Sequence, residues 1–275
     1  MHQPRKRFGQ HFLTDRRSLE RIVDALDPGP SDTVVEIGPG KGALTELLSA
    51  RCGRLVAIEI DRDLVAHLQS MYADRPNVEV IQGDALETDW GSIAGPSYLF
   101  AGNLPYYITT PLIFRVLESP RAARAVLLIQ REVAERLAAA PGSSDYGALT
   151  VNVQVAATVK LIGKVSAGAF HPKPTVDSAI VLLTPHVEPL LGANEETAFR
   201  KFVQAAFGMR RKQMLRVLRE LWIPSPEHAS AILSEAGIDH ATRPETIDPA
   251  GFVTLFRRVE SLQKARTTGN TGNAG

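Results

Sequence analysis

Asn103, Leu104, Pro105 and Tyr106 stand together in the stretch FAGNLPYYITTPLIF, at the end of a short apolar run. An amide side chain beside a backbone carbonyl makes two neighbouring hydrogen-bond acceptors. Pro105 fixes its own φ and restricts Leu104, so the Leu104 carbonyl is held in place. Two fixed acceptors aimed at both N–H bonds of an amine decide where its lone pair points. Tyr106 adds a flat face for a base taken out of its stack. These are the parts for reaction at an exocyclic amine such as that of adenine, with catalysis mainly by positioning. The same four residues also suit a plain strand end, a proline turn and a core tyrosine. The choice depends on what accompanies them.

Upstream, VVEIGPGKG puts Gly38, Gly40 and Gly42 in a turn between an apolar run and a helical pattern. Glycines there permit positive φ and close approach of the backbone to a ligand. Glu59 ends the next apolar run, where a carboxylate accepts from ribose hydroxyls. Asp84, in QGDAL, ends the third and is placed to hold an adenine amino group. A dinucleotide and S-adenosylmethionine both fit this outline. A dinucleotide seats its pyrophosphate at a helix amino terminus, usually with G-x-G-x-x-G spacing. Here the spacing is G-x-G-x-G and acidic Glu36 precedes it. That acid repels phosphate and suits a cationic sulfonium ligand with its ammonium group, which favours S-adenosylmethionine. No metal is called for.

The elements that must position these residues follow from periodicity. TVVEIG, RLVAIEI, NVEVIQGD, SYLFAGN and RAVLLIQ are short apolar runs. Helical patterns from about Ala43, Arg62, Pro111 and Glu132 alternate with them. Strands alternating with helices imply a mainly parallel sheet covered on both faces, an α/β Rossmann-like fold with its ligand crevice at the carboxyl ends of the strands. An earlier helix is expected over Thr14 to Leu26, capped by Thr14 or Asp15. DSAIVLLTP reads as a strand, while 147–157 fits a helix or a strand. After Pro185 the chain reads as a linker and then helices through EETAFRKFVQAAF and RRKQMLRVLREL, with two more capped by Ser225 and Asp248. The expected division is a catalytic domain over 1–187, a small helical domain over 188–260 and a disordered tail over 261–275.

With 275 residues, 44% hydrophobic and 22% charged, a net charge of +1 excludes a whole-chain polycation, so any contact with nucleic acid must use local clusters. A single cysteine, Cys52, leaves no internal disulfide and fits a reducing compartment. The basic start MHQPRKRFGQHFL lacks an apolar secretory core, and no run is long enough to span a bilayer. A cytoplasmic protein is expected.

Seven stretches in one order over nearly the whole chain carry a resemblance: RKRFGQHFL, EIGPGKGALT, AIEID, GDAL, NLPYYITTPLIF, AFHPKPTVDSAIV and AFGMRRKQMLR. Together they resemble the ribosomal RNA adenine dimethyltransferases, closest to the bacterial small-subunit group. The resemblance implies a class I S-adenosylmethionine-dependent fold with a small helical domain. It implies that His11, Leu13, Gly38, Glu59, Asp84 and Asn103 line the donor pocket, with Gln10 over the methionine end and Gly40 in the loop. Family members often carry Asn where this chain has His11, which leaves a backbone contact intact. Asn103, Leu104, Pro105 and Tyr106 match the family's catalytic tetrapeptide, and Phe170 is implied as the second aromatic face around the adenine.

For RNA, Arg5, Lys6 and Arg7 form one basic cluster, and Arg210, Arg211 and Lys212 begin a second. On a continuous helix Lys212, Arg216 and Arg219 would make one stripe against phosphates. Lys173 lies beside the expected target pocket. Charge runs are more often solvated faces, so neither cluster decides the matter alone. The substrate implied by the resemblance is a pair of adjacent adenosines in the 3′-terminal hairpin loop of 16S RNA, in the small (30S) subunit or its precursor. The enzyme would act during ribosome assembly, and nothing demands more than a monomer. Rival readings are a large-subunit (23S) dimethyltransferase of the macrolide-resistance type, a mainly non-catalytic assembly factor, and a dinucleotide-dependent oxidoreductase.

Overall fold

The computed structural model describes residues 10–209 and 211–270, the side chains of 266–270 excepted. The chain divides into two compact units, Met1–Ala138 with Ala157–Pro185, and Ala139–Ala156 with His186–Gly275.

In the first unit the strands are β1 (Phe12–Leu13), β2 (Thr33–Ile37), β3 (Arg54–Glu59), β4 (Val78–Gln82), β5 (Leu99–Asn103), β6 (Arg124–Gln130), β7 (Ala157–Val165), β8 (Phe170–His171) and β9 (Ser178–Pro185). Seven of them form one sheet in the order β4-β3-β2-β5-β6-β9-β7. The first five in that order run parallel, while β9 is antiparallel to both β6 and β7. The central strands are nearly unbroken apolar runs, as burial on both faces requires. The helices are α1 (Arg16–Leu26), α2 (Ala43–Ser49), α3 (Arg62–Met71), α4 (Trp90–Ala94), α5 (Thr109–Leu117) and α6 (Arg131–Leu137). Asp15 caps α1 by accepting from the Ser18 amide, and α1 buries Leu19, Ile22, Val23 and Leu26 at helical spacing. The order reverses between β2 and β5, so the crevice opens beside Gly38, Glu59 and Asn103.

A second, two-stranded sheet pairs β1 with β8, setting Phe12 opposite His171 and Leu13 opposite Phe170. Thr14 N donates to the Ala169 carbonyl at 2.8 Å and extends the join. This pairing clamps the amino-terminal stretch to the segment that carries Phe170.

The second unit contains α7 (Ala148–Gln154), α8 (Glu196–Gly208), α9 (Met214–Leu221), α10 (Pro226–Glu235) and α11 (Pro249–Asn270). Its core gathers Tyr146, Val151, Phe199, Val217, Phe252 and Phe256 among others. Residues 147–157 resolve as a helix followed by a strand: α7 ends at Gln154 and β7 begins at Ala157. The segment 139–156 thus belongs with the helices, unlike the expected single division near 187. The reason is tertiary, because the Tyr146 hydroxyl donates to the Ile247 carbonyl at 2.8 Å and the Gly142 amide to the Glu245 carbonyl at 2.7 Å.

Two further expectations fail here. Residues 261–270 are helical, the continuation of α11, with Leu262 against the core and Lys264 paired with Glu260, and 271–275 lie outside the described residues. Lys212 is not on a helix with Arg216 and Arg219. The chain turns between α8 and α9, where the Lys212 amide donates to the Met209 carbonyl and Gln213 is extended as the residue before α9. Burial of Met214, whose amide donates to the Thr242 carbonyl, sets where the second helix begins.

Candidate active site

A cleft of about 220 Å³ opens at the carboxyl ends of β2, β3 and β5. Gln10, His11, Gly38, Gly40, Glu59 and Asp84 line it, together with Asn103, Leu104, Pro105, Tyr106 and an edge of Phe170. No lysine or arginine lines it among the described residues. Leu13 is not in its wall; it is buried against Phe170 and lines a neighbouring cavity.

Asn103 ends β5, and its side-chain Nδ2 donates to the His11 backbone carbonyl at 2.8 Å. That bond uses the donor end of the amide and leaves Oδ1 as its acceptor, on a residue of the cleft wall. Pro105 has φ −58°, and its carbonyl accepts from the Ile108 amide and the Thr109 hydroxyl, which locks the turn after the tetrapeptide. The Tyr106 hydroxyl pairs with the Ser178 hydroxyl at 3.3 Å, fixing the ring. His11 does more than lend its backbone. Its ring stacks on Tyr106, centroids 6.0 Å apart, and Nδ1 pairs with the Pro172 carbonyl at 2.8 Å. The carbonyl is acceptor only, so Nδ1 carries the proton.

The acids are arranged by backbone donors. Glu59 accepts from the Asp61 amide at 2.9 Å and the Gly40 amide at 3.2 Å, while burial pushes its carboxyl above the usual range and these two bonds oppose that. Asp61 caps α3 and also accepts from Gln10 Nε2 at 3.1 Å, which ties the amino-terminal stretch to the cleft floor. Asp84 accepts from the Leu86 amide at 2.8 Å. Glu36 is 1% exposed, and its Oε2 has no hydrogen-bond partner. Burial, reinforced by the Glu59 charge, pushes it up to about 8. Gly40 sits at φ +60° under the Phe12 ring, where an added Cβ would meet the ring at 2.8 Å.

Phe170 is 5% exposed and belongs largely to the core under α1. Tyr107, which sequence reasoning passed over, lines the same cleft and is 59% exposed. Burial of its hydroxyl and the nearby charges of Asp84 and Glu59 raise its pKa. Its only sequence signal was a second aromatic beside Tyr106. Lys173 is exposed and outside the cleft wall. Arg211 and Lys212 are exposed, whereas Arg5, Lys6, Arg7 and Arg210 lie outside the described residues.

Among the described residues no helix is long and apolar enough to cross a membrane, and no group of three or more His, Cys, Asp or Glu is gathered to hold a metal.

Comparison with known proteins places this arrangement. A family model described as ribosomal RNA adenine dimethylase matches residues 1–261. The chain belongs to the ribosomal RNA adenine dimethylase family. It is 42% identical over 264 residues to the ribosomal RNA small subunit methyltransferase A of Geobacter metallireducens, covering 94% of this chain and 96% of that protein. It is 43% identical over 268 residues to the protein of the same description from Moorella thermoacetica, covering 94% and 93%. Among solved structures, this dimethylase-family chain resembles a dimethyladenosine transferase from Plasmodium falciparum, with TM-score 0.81, 27% identity and coverage of 91% and 98%. It also resembles the 23S rRNA methyltransferase ErmE, with TM-score 0.72, 29% identity and coverage of 90% and 99%. The expected α/β methyltransferase fold with its mostly parallel sheet is therefore the fold of this dimethylase.

Proposed function

We propose that this chain transfers methyl groups from S-adenosylmethionine to the 6-amino groups of two adjacent adenosines in the 3′-terminal hairpin loop of small-subunit ribosomal RNA. It acts as a cytoplasmic monomer during assembly of the subunit. The observation that carries the chemistry is the Asn103 amide of the cleft wall, anchored through Nδ2 on the His11 carbonyl, which leaves Oδ1 as an acceptor. The choice of small-subunit RNA rests on relatives at 41–43% identity described as small subunit methyltransferase A.

The residues present fit a cationic methyl donor. The cleft wall carries Glu59 and Asp84 and no basic side chain among the described residues, and Glu36 lies buried behind it with an orphaned oxygen. A pyrophosphate in the cleft would meet the acids of its wall, which argues against a dinucleotide. When bound, S-adenosylmethionine supplies an electrophilic methyl on a sulfonium centre. Gly38 and Gly40 let the backbone approach it, Glu59 accepts from its ribose hydroxyls and Asp84 from its adenine amino group. Gln10 covers the methionine end, and Leu13 supports the strand pairing behind it.

At the target, Oδ1 of Asn103 and the Leu104 carbonyl accept the two N–H bonds of the adenine amine. That geometry turns the lone pair, otherwise delocalised into the ring, toward the methyl. Tyr106 gives the base one flat face and Phe170 the other, for a base extruded from its stack. The proton leaves after transfer, so no strong general base is needed. Arg5, Lys6, Arg7, Lys173, Arg210, Arg211 and Lys212 contact phosphates.

The test is transfer of label from the methyl donor to isolated subunits. Under-methylated small subunits should take up label as dimethyladenosine while large subunits stay blank. Label in large subunits alone would overturn the substrate, and blank subunits of both kinds would point to a non-catalytic assembly role.

A further inference from the structure

The hydroxyl of Tyr106 pairs at 3.3 Å with that of Ser178, a β9 residue only 1% exposed. That bond fixes where the ring ends and leaves its tilt open. The tyrosine oxygen lies on the axis about which the ring turns, and rotation about that axis is soft. A base stacked on Tyr106 needs the tilt fixed as well. The contact that meets the ring's face is the His11 imidazole, with centroids 6.0 Å and planes 27° apart, inside the range of offset aromatic pairs.

The imidazole is itself held. Its Nδ1–H donates to the Pro172 carbonyl at 2.8 Å, just past Phe170 and His171 in the strand that pairs with β1. The two rings proposed to flank the target base therefore share one support: Phe170 belongs to that segment, and Tyr106 rests on a ring hydrogen-bonded to it. The separation also decides which face is open. A base between His11 and Tyr106 would need two van der Waals contact distances, about 7 Å. The 6.0 Å present is too narrow, so a base stacks on the face of Tyr106 away from His11.

We infer that the His11 imidazole is a positioning residue for methyl transfer. By backing Tyr106 it sets the plane on which the target adenine stacks, and so where the amine lies relative to Asn103 Oδ1 and the Leu104 carbonyl. This rests on Tyr106 being the platform for that base. The ring acts only through Tyr106 and does not touch the base. Its role is separate from that of the His11 backbone carbonyl, which anchors the Asn103 amide whatever side chain stands at position 11.

Single-turnover transfer to under-methylated small subunits, with calorimetry of S-adenosylhomocysteine on the same preparations, tests this. His11→Ala removes the ring, His11→Asn leaves an amide able to donate to Pro172, and His11→Phe keeps a flat face without the donor. Transfer should fall about fivefold in the Ala and Asn variants, the worth of one aromatic pair, and His11→Phe should recover most of it. S-adenosylhomocysteine should bind all three as it binds the unaltered chain, which shows that they are folded. In a Tyr106→Ala background, His11→Ala should cost nothing further, whereas a general loosening of the fold would repeat the loss. Additive losses overturn the proposal. So do an Asn variant as fast as the unaltered chain, a Phe variant as slow as the Ala variant, and a His11→Ala variant whose S-adenosylhomocysteine affinity falls with its rate. Each of these leaves Tyr106 as the platform. Undiminished transfer by Tyr106→Ala alone removes the platform, and this proposal with it.

Discussion

The side-chain amide of Asn103 donates to the backbone carbonyl of His11 at 2.8 Å, across 92 residues of chain. An asparagine has one donor end and one acceptor end, and this bond decides which of them the cleft sees. The carbonyl that makes it belongs to the residue before β1, so the pairing of β1 with β8 sets the orientation of the residue at the end of β5. Because a backbone carbonyl does the work, the side chain at position 11 is free to differ, and here it stacks on Tyr106.

Asn103→Ala removes an acceptor aimed at the target amine, so kcat should fall by roughly 10²-fold or more, in the range seen when one positioned hydrogen-bonding group is lost from a reacting centre. Affinity for S-adenosylhomocysteine should change little. Single-turnover transfer and calorimetry on the same preparation separate the two, and a variant with undiminished transfer would remove Asn103 from the reaction.

Glu36→Gln isolates a titration. Its carboxyl is raised from 4.5 to about 8 in the folded chain, so the folded state keeps a proton that the unfolded chain releases at lower pH. Stability from that group is complete below pH 4.5, drains away as pH rises toward 8 and is gone above it. Glutamine does not titrate. Urea unfolding without ligand should therefore show the variant gaining on the unaltered chain between those two values, by a few kcal/mol at most, with a constant difference above them. A pH-independent difference would mean that the Glu36 carboxyl titrates normally.

Gly40→Ala should disturb both cleft and arm. Gly40 has φ +60°, which costs an alanine about 1–2 kcal/mol. The added methyl also meets the Phe12 ring at 2.8 Å. A lower melting temperature with weaker S-adenosylhomocysteine binding is expected. If melting falls while binding is unchanged, the loop does not shape the donor site.

Arg211→Ala with Lys212→Ala removes two exposed cations from the turn between α8 and α9. If both meet phosphates, the slope of log affinity for a small-subunit RNA fragment against log salt should shrink by about 1.5. An unchanged slope would place RNA contacts elsewhere. Arg216 is a poorer candidate, since it already pairs with Glu220.

Much of this architecture is legible residue by residue. The alternation of TVVEI, RLVAIE and LFAGN with helical segments, the positive-φ glycines at 38, 40 and 42, and the acids at strand ends are all written in neighbours along the chain. Backbone geometry links each period to one kind of element, so a dozen residues suffice. The caps at Asp15 and Ser225 are equally local, being side chains that accept from amides three residues on.

Other features depend on which distant faces bury one another, and no local window holds that information. The stretch 148–154 has alternating valines and good helix formers alike, and it became helix α7 because Val151 and Val153 are buried and Val151 joins a core with Phe199 and Phe252. The same packing drew 139–156 into the helical unit and carried α11 past its expected end. His11 meets Pro172 across 161 residues through a strand pair two residues long, too short to read from its own composition. Elements come from periodicity between neighbours along the backbone; the aim of Asn103 and the placing of Lys41 over Phe12 come from apolar surfaces that must be covered together.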